Sequence, residues 1–201
     1  MRILILGGPA YAEPWRVAYP NAELAYHNTS RTLRDNQVWD EGIDAVQFTG
    51  GADVTPELYG APNIASHNDV TRDLNEVRIF MESKRRLLPC FGICRGSQFL
   101  RVMAGGRLVQ DIEGHGRDHR AQCVNGEEFR VTSTHHQHAV IDHANFFEIL
   151  TADNGTIAEG WRHTALGHQI AAVQYHPEYM PHDSRGFTFY KELLIDVMEN
   201  R

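Results

Sequence analysis

Short, continuous apolar runs mark the first half of the chain. Residues 2–6 form one such run before Gly7, and residues 42–49 form another before Gly50. Continuous runs of this length are typical of strands that are buried on both faces of a parallel sheet. The pattern therefore predicts two buried strands, each followed by a glycine turn.

Helical spacing appears after these runs. Apolar residues at that spacing predict a helix over residues 73–86. A third apolar run over residues 87–93 leads directly into a second predicted helix, residues 95–104. Strands and helices that alternate in this way are expected to form a parallel sheet with helices on both faces.

The second half of the chain is richer in strands. Candidate strands cover residues 107–112, 128–133, 146–151, 156–160 and 169–175. A last helix is predicted over residues 185–199, where apolar residues share one face, and Ser184 or Asp183 is its expected N-cap.

Two stretches lack a clear pattern. Residues 9–40 contain three prolines and scattered aromatic side chains, with a short apolar stretch at residues 24–26 and a helix predicted from about Ser30. Residues 52–71 have no periodicity and many loop residues. A loop of about 20 residues in a compact domain is usually either functional or disordered.

Size and charge exclude several classes of protein. The 201 residues suffice for one sizeable core, so residues 1–201 are expected to form a single domain. A net charge of -7 argues against a nucleic-acid partner. No apolar run approaches the roughly 20 residues of a membrane helix, and residues 1–8 are too short for a signal peptide. Three cysteines provide no disulfide framework and suit a reducing cytoplasm.

The third apolar run ends in a glycine-flanked cysteine. Gly92 and Gly96 flank Cys94 at minus and plus two, a G-x-C-x-G spacing that predicts a nucleophile elbow between strand and helix. A helix N-terminus stabilises the thiolate form of a cysteine placed there, and the free N–H groups at that end can bind an oxyanion. Cys90 and Cys123 lack such flanks and are interpreted as small buried hydrophobes.

A thiol nucleophile needs a base and a group that orients the base. The predicted strand over residues 169–175 ends on His176-Pro177-Glu178. Pro177 stiffens this turn, so His176 and Glu178 can lie on one side at the end of the strand. A single histidine at a strand end is more often an ordinary surface residue.

An elbow cysteine followed about 80 residues later by His-Pro-Glu resembles the class I glutamine amidotransferase superfamily. The resemblance implies that Cys94 is the nucleophile, His176 the general base and acid, and Glu178 its orienting group. It also implies a three-layer α/β sandwich with a mostly parallel central sheet, of the flavodoxin-like type, and a site at the carboxyl ends of the strands.

Further motifs resemble one branch of that superfamily. Residues 50–60 match a G-G-x-D-V-x-P-x-x-Y-G stretch of the gamma-glutamyl hydrolases, especially the gamma-glutamyl-gamma-aminobutyrate hydrolases. Arg72-Asp73 with Glu76, residues 105–111 and residues 133–137 are similar to that branch as well. The implied substrate is therefore a small gamma-glutamyl amine.

The branch also implies roles around the nucleophile. The N–H groups of Gly51 and Arg95 would hold the oxyanion, and Gln98 with the backbone around His135 and His136 would hold the amino-acid end of the glutamyl group. The charged side chain of Arg95 either favours the thiolate or is a solvated surface group.

Residues 8–40 do not match the first helical hairpin of the branch. The leaving-group side of the pocket is then either reduced or completed by a second subunit of a homodimer.

Twelve histidines raise the alternative of a metal site. The candidate ligands are His115, His119, His135, His136, His138 and His143. No H-E-x-x-H or paired C-x-x-C occurs in the sequence, and the resemblance accounts for His135 and His136 without a metal. The sequence therefore predicts an enzyme that requires no metal and no other cofactor.

Two other classes of function stay open at this point. The chain could be a glutaminase subunit that supplies ammonia to a separate synthetase, because that class has the same triad. It could also be a binding protein that has kept the fold and lost the chemistry, although the complete triad argues against this.

Overall fold

The computed structural model describes residues 1–31, 42–142, 145–165 and 167–200. The strands are β1 (Arg2–Leu6), β2 (Glu23–Tyr26), β3 (Ile43–Phe48), β4 (Cys90–Ile93), β5 (Leu108–Val109), β6 (His119–Cys123), β7 (Glu128–Val131), β8 (His138–Ala139), β9 (Phe146–Ala152), β10 (Ile157–Ala165) and β11 (His168–Val173). The α-helices are α1 (Glu13–Ala18), α2 (Val70–Arg85), α3 (Arg95–Met103) and α4 (Arg185–Glu199).

Nine of these strands form one central sheet, in the order β2-β1-β3-β4-β11-β10-β9-β6-β7. Neighbours from β2 to β11 run parallel, and neighbours from β11 to β7 run antiparallel. β5 and β8 pair separately as a short antiparallel ribbon. The parallel half therefore has a common carboxyl edge, onto which the loops after β3, β4 and β11 open.

Helices cover both faces of the parallel half. Successive side chains of a strand point to opposite faces, and in β1 Ile3 and Ile5 pack in the cluster that contains residues of α1 and α4. Leu4 and Leu6 pack on the other face, in the cluster that contains residues of α2 and α3. The predicted three-layer α/β sandwich is confirmed.

Several element predictions are confirmed closely. β1 spans the predicted residues 2–6, α3 begins at Arg95, and α4 covers residues 185–199. Ser184 caps α4, because its Oγ accepts a hydrogen bond from the N–H of Phe187 at 3.3 Å.

Other predictions need correction. The apolar stretch at residues 24–26 is part of strand β2, so residues 43–48 form the third strand. α2 begins at Val70 rather than residue 73, because the side chain of Asp69 caps it by accepting from the N–H of Arg72 at 3.0 Å. The helix predicted from about Ser30 falls on residues 32–41, which lie outside the described residues.

The antiparallel half was predicted least well. β6 was missed because its buried positions, Ala121 and Cys123, form no apolar run. β10 continues to Ala165, beyond the predicted end at residue 160. Its backbone pairing with β9 and β11 extends the strand over polar residues.

The unpatterned stretch over residues 52–71 folds back on itself beside the carboxyl edge of β3. The N–H of Asp53 donates to the carbonyl of His67 at 2.9 Å, and the N–H of His67 donates to Oδ2 of Asp53 at 2.8 Å. These two hydrogen bonds therefore fix the base of the loop. None of the helices in the described ranges is long and apolar enough to span a bilayer.

Candidate active site

Cys94 stands at the junction of β4 and α3, with a backbone conformation that side-chain-bearing residues rarely adopt. Its φ is 52° and its ψ is -113°. Its N–H donates to the carbonyl of Val173 at 2.9 Å, and its carbonyl accepts from the N–H of Gln98 at 3.2 Å. Strain of this kind costs on the order of 1–3 kcal/mol and persists only where the surroundings impose it.

The flanking glycines allow this turn to pack tightly. A Cβ atom at Gly92 would lie 2.7 Å from the backbone nitrogen of Ser97, and one at Gly96 would lie 2.3 Å from the carbonyl oxygen of Phe48. Backbone atoms cannot move aside cheaply, so both positions require glycine. The predicted elbow geometry is confirmed.

His176 reaches Cys94 because of strand register. β4 and β11 pair in parallel with Ile93 opposite Val173, so their carboxyl ends lie side by side. Nδ1 of His176 lies 2.7 Å from Oε1 of Glu178, whose side chain is fully buried. The structure thus brings together Cys94, His176 and Glu178, which the sequence predicts to form a triad, although 82 positions separate Cys94 from His176.

The charge state of His176 follows from these neighbours. Burial lowers the pKa of the imidazole, but its interactions with Cys94 and Glu178 outweigh burial and raise the pKa to about 10. The ring is therefore protonated near neutral pH and is placed to give a proton to a departing group.

Two further residues contact His176 that the sequence analysis did not single out. Oγ1 of Thr134 lies 3.1 Å from Nε2 of the ring. The ring of Tyr179 stacks on the imidazole, with centroids 5.2 Å apart and planes inclined by 20°. Thr134 lies inside the motif at residues 133–137 and Tyr179 directly follows Glu178, so position in a motif is the signal that could have found them.

A cavity of about 340 Å³ opens above the elbow. Its lining includes seven of the eight predicted site residues, namely Gly51, Cys94, Arg95, Gln98, His135, His136 and His176. The eighth, Glu178, lies buried behind His176. A cavity of this size suits a small-molecule ligand.

The peptide between Gly50 and Gly51 is oriented by Arg72. The guanidinium of Arg72 donates to the carbonyls of Gly50 at 2.9 Å and Thr49 at 3.0 Å. This peptide is trans, so the N–H of Gly51 points away from Arg72. Gly51 has φ 137°, which favours glycine, and it lines the cavity.

The side chain of Arg95 is buried and neutralised. It is 1% exposed and forms ion pairs with Asp73 and Glu76. The interpretation as a solvated surface arginine is therefore wrong. Two carboxylates also offset its charge, which weakens the alternative that this charge favours the thiolate.

Arg72 joins the same group, because its Nε donates to Oε1 of Glu76 at 2.8 Å. We call Arg72, Asp73, Glu76 and Arg95 the arginine cluster.

The predicted substrate-binding residues differ in orientation. Nε2 of Gln98 donates to the carbonyl of Gln137 at 2.9 Å. The ring of His136 faces Asp53, with Nε2 at 3.3 Å from Oδ2. The ring of His135 instead turns toward buried Glu159, with Nε2 at 3.2 Å from Oε1, so only its backbone is left for the predicted role.

Neither of the other two cysteines has the surroundings of a nucleophile. Both are buried, and burial raises the pKa of the Cys90 thiol to about 12 and also raises that of Cys123. The interpretation of Cys90 and Cys123 as buried hydrophobes is consistent with these surroundings.

The candidate metal ligands fall into separate groups. His115, His119 and His135 converge on Glu159, and we call these four residues the histidine cluster. The nearby Glu159 carboxylate raises the pKa of His115, and burial lowers the pKa of His138. His143 lies outside the described residues. Glu159 was missed by the sequence analysis, because a lone glutamate in a strand carries no metal-site spacing.

The sequence of this chain is similar to those of known proteins. A family model described as Peptidase C26 matches residues 29–128. The glutamine amidotransferase-like protein YvdE of Lactococcus lactis is 31% identical over 159 residues, which are 68% of this chain and 66% of that protein. The carbamoyl phosphate synthase small chain of Thermus thermophilus is 35% identical over 115 residues, which are 55% of this chain and 29% of that one.

A glutamine amidotransferase from Thermotoga maritima has a similar fold. Its structure matches with a TM-score of 0.66 and 17% identity, over 100% of this chain and 84% of that chain. This match supports the α/β fold class predicted from the sequence. The present chain spans just under two thirds of the YvdE protein and less than a third of the synthase small chain.

Proposed function

From the matches to the Peptidase C26 model and to the YvdE protein, we infer that the chain is a member of the Peptidase C26, class I glutamine amidotransferase-like family, and we propose that it is a cysteine-dependent hydrolase of gamma-glutamyl amides. The substrate class is a small gamma-glutamyl amine, such as gamma-glutamyl-gamma-aminobutyrate. The reaction is acyl transfer from the amide to water.

One observation supports this proposal above the others. Cys94 and His176 line one small cavity, while Glu178 holds the far side of the imidazole at 2.7 Å. A nucleophile, a base and an orienting carboxylate in this order are the parts that acyl transfer requires. The strained backbone at Cys94 presents the sulfur to the cavity.

The chemistry proceeds in two halves. The sulfur of Cys94 attacks the gamma-carbonyl carbon, and the N–H groups of Gly51 and Arg95 stabilise the oxyanion that forms. His176 protonates the leaving amine, the C–N bond breaks and a glutamyl thioester remains. His176 then removes a proton from water, the resulting hydroxide attacks the thioester carbon, and the C–S bond breaks. Glutamate leaves, and the proton held by His176 is shared with the released sulfur of Cys94 as at the start.

Two features support roles for the remaining cavity residues. Gln98 is held by the carbonyl of Gln137, so its amide is fixed in the lining of the cavity. The backbone at His135 and His136 borders the same space. These groups are proposed to bind the amino-acid end of the glutamyl group. A free-thiol nucleophile also suits a reducing compartment such as the cytoplasm.

A second function is favoured by one comparison. Similarity to a carbamoyl phosphate synthase small chain suggests a glutaminase subunit that passes ammonia to a separate synthetase. The triad chemistry is the same, but glutamine would then be hydrolysed efficiently only when the partner is present.

A panel of gamma-glutamyl amides, glutamine included, tests both proposals with released glutamate as the readout. The purified protein alone should cleave at least one gamma-glutamyl amine. Cys94→Ala should abolish this while the circular dichroism spectrum is retained, and Cys123→Ala is the matched control that should stay active. Cleavage of glutamine only with an added synthetase supports the second function, and no reaction with any gamma-glutamyl compound refutes both.

A further inference from the structure

The histidine cluster lies beside the proposed active site and takes no part in its chemistry. One oxygen, Oε1 of Glu159, faces all three rings: Nε2 of His119 at 2.9 Å, Nε2 of His135 at 3.2 Å and Nδ1 of His115 at 3.4 Å. Glu159 is fully buried, and His115 and His135 are each 3% exposed.

The opposite nitrogen of each ring is already committed. Nε2 of His115 lies 3.0 Å from Oδ2 of Asp153, and Nδ1 of His119 lies 3.1 Å from the carbonyl oxygen of Arg117. Nδ1 of His135 lies 2.9 Å from the carbonyl oxygen of Gln137. Carboxylate and carbonyl oxygens only accept hydrogen bonds, so these three ring nitrogens carry the protons.

These protons determine the state of the inner nitrogens, which are the ring nitrogens that face Glu159. In a neutral imidazole the second nitrogen carries no proton and offers a lone pair. Three lone pairs would then face one carboxylate oxygen, and all four groups would be acceptors without a donor. Protonating all three rings instead would pack three positive charges together, with ring centroids only 4.4 to 6.1 Å apart.

Two buried atoms of the histidine cluster form no hydrogen bond with any described residue. They are Nδ1 of His115 and Oε2 of Glu159. An unpaired buried polar atom costs roughly 1–3 kcal/mol, so a native protein rarely leaves two such atoms in one place. A cation bound by the four groups would take up the lone pair of Nδ1 of His115 and neutralise the Glu159 carboxylate.

We propose that His115, His119, His135 and Glu159 form a structural zinc site. The four ligand atoms lie within 4.8 Å of one another. Tetrahedral zinc with nitrogen and oxygen bonds of about 2.0–2.1 Å has ligand atoms about 3.3 Å apart, close to the 2.9–3.4 Å measured here from Glu159 to the rings. The outer hydrogen bonds of the histidines are the second shell that zinc ligands require.

The position of the site indicates its role. Four protein ligands leave no open coordination position, which is typical of structural rather than catalytic zinc. His135 is a ligand and also lines the cavity, and the adjacent Thr134 contacts His176. The ion would therefore secure the loop after β7 against β6 and β10. This proposal does not rest on the hydrolase activity, because its tests measure metal binding.

Zinc binding to stripped protein is the decisive experiment. The full chain is dialysed against a chelator, titrated with Zn²⁺, passed through a desalting column and analysed for metal. We expect one zinc per chain. Co²⁺ added to the same stripped protein should produce the intense visible absorption of a tetrahedral site.

Variants locate the ion. Glu159→Gln and His119→Ala should each weaken zinc binding at least about 100-fold. Asp153→Asn should weaken it roughly 10- to 100-fold, because that carboxylate orients His115. Asp153 has φ 49°, a conformation that asparagine also tolerates. His182→Ala is the matched control, since this half-exposed histidine lies outside the cluster, and it should bind zinc as the wild type does.

Three results would overturn the proposal. The first is stripped wild-type protein that retains no zinc after desalting. The second is zinc that is retained equally by wild type, Glu159→Gln and His119→Ala. The third is a Co²⁺ complex with only the weak absorption of octahedral coordination. The wild-type measurements decide the matter even if a variant fails to fold.

Discussion

Two buried groups of charged side chains flank the candidate active site, and they differ in how their carboxylate oxygens are partnered. In the arginine cluster, two guanidinium groups meet two carboxylates. Each carboxylate oxygen has a donor, including the N–H of Thr55 for Asp73 and the hydroxyl of Thr29 for Glu76. In the histidine cluster, three rings meet one oxygen of Glu159 while its second oxygen has no partner in the described part of the chain.

The difference shows how ionisable type governs a buried site. Arginine keeps its charge under all conditions in proteins, so its carboxylate partners must be present in the folded chain. Histidine can lose its proton or bind a metal, so a histidine group can remain incomplete until a cation arrives. The arginine cluster therefore holds the carbonyls of Thr49 and Gly50 permanently, whereas the histidine cluster is proposed to rigidify its loop only with zinc.

Glu76→Gln should produce the largest effect, because it leaves Arg72 and Arg95 buried without one carboxylate. Breaking a buried ion pair by removing one partner costs about 3–5 kcal/mol. We expect a loss of that size in the free energy of unfolding by urea, with or without zinc. The exposed Glu57→Gln is the matched control and should change little. A loss below about 1 kcal/mol would show that the cluster is not essential for stability.

Zinc should have the next largest effect, and only on the histidine cluster. A ligand at 100 times its Kd stabilises the folded state by about 2.7 kcal/mol. Added zinc should therefore raise the unfolding free energy of the stripped wild type by that amount. It should leave Glu159→Gln unchanged, and equal stabilisation of both proteins would contradict the comparison. Without metal, Glu159→Gln should cost less than Glu76→Gln, because neutral rings can tolerate the loss of the carboxylate.

Arg72→Lys tests the orienting role of the arginine cluster. Lysine keeps the charge but cannot hold the carbonyls of Thr49 and Gly50 together with Glu76. Removing one oxyanion donor costs about 100- to 1000-fold in kcat, so a misdirected Gly51 N–H should lower kcat roughly 10- to 100-fold. KM should change less than kcat. The exposed Arg78→Lys on the same helix is the control, and an equal loss there would rule out this role.

A smaller effect concerns His176, which lines the same cavity as Arg95 and His135. An opposite charge in contact typically shifts a pKa by about one or more, so Glu178→Gln should lower the His176 pKa from about 10 by roughly one. Because the folded pKa is above that of the unfolded chain, the stabilisation is complete below about pH 6.5. It is lost as pH rises through about 10.

The measurement is an NMR titration of the His176 ring in both proteins, with unfolding by urea at several pH values. The difference in unfolding free energy between wild type and Glu178→Gln should shrink toward alkaline pH. His182→Gln should leave the titration unchanged. A His176 ring that titrates near 6.5 in the wild type would show that Cys94 and Glu178 do not stabilise the imidazolium.

Local sequence patterns predicted the elements that carry the proposed triad. The elbow at Cys94 depends on glycines two residues away, and His176 and Glu178 lie in one short turn. The apolar runs of β1, β3 and β4 are nearly continuous because both faces of the parallel half are buried. Each of these signals is contained within a few residues, so a single sequence can display it.

Two strands of the second half of the chain escaped prediction for the opposite reason. β6 has alternating burial with few apolar residues, and β8 is two residues long, so neither produces a run that stands out. β6 nevertheless begins at His119, one of the proposed zinc ligands.

By itself, the sequence determined the strand and helix periodicity, the sharp turn at Cys94 and the proximity of His176 to Glu178. Only the tertiary structure decided that Arg95 is buried between two carboxylates and that three distant histidines surround Glu159. Hydrophobic periodicity specifies which face of an element is buried, but strand order and register decide which distant side chains meet on that face.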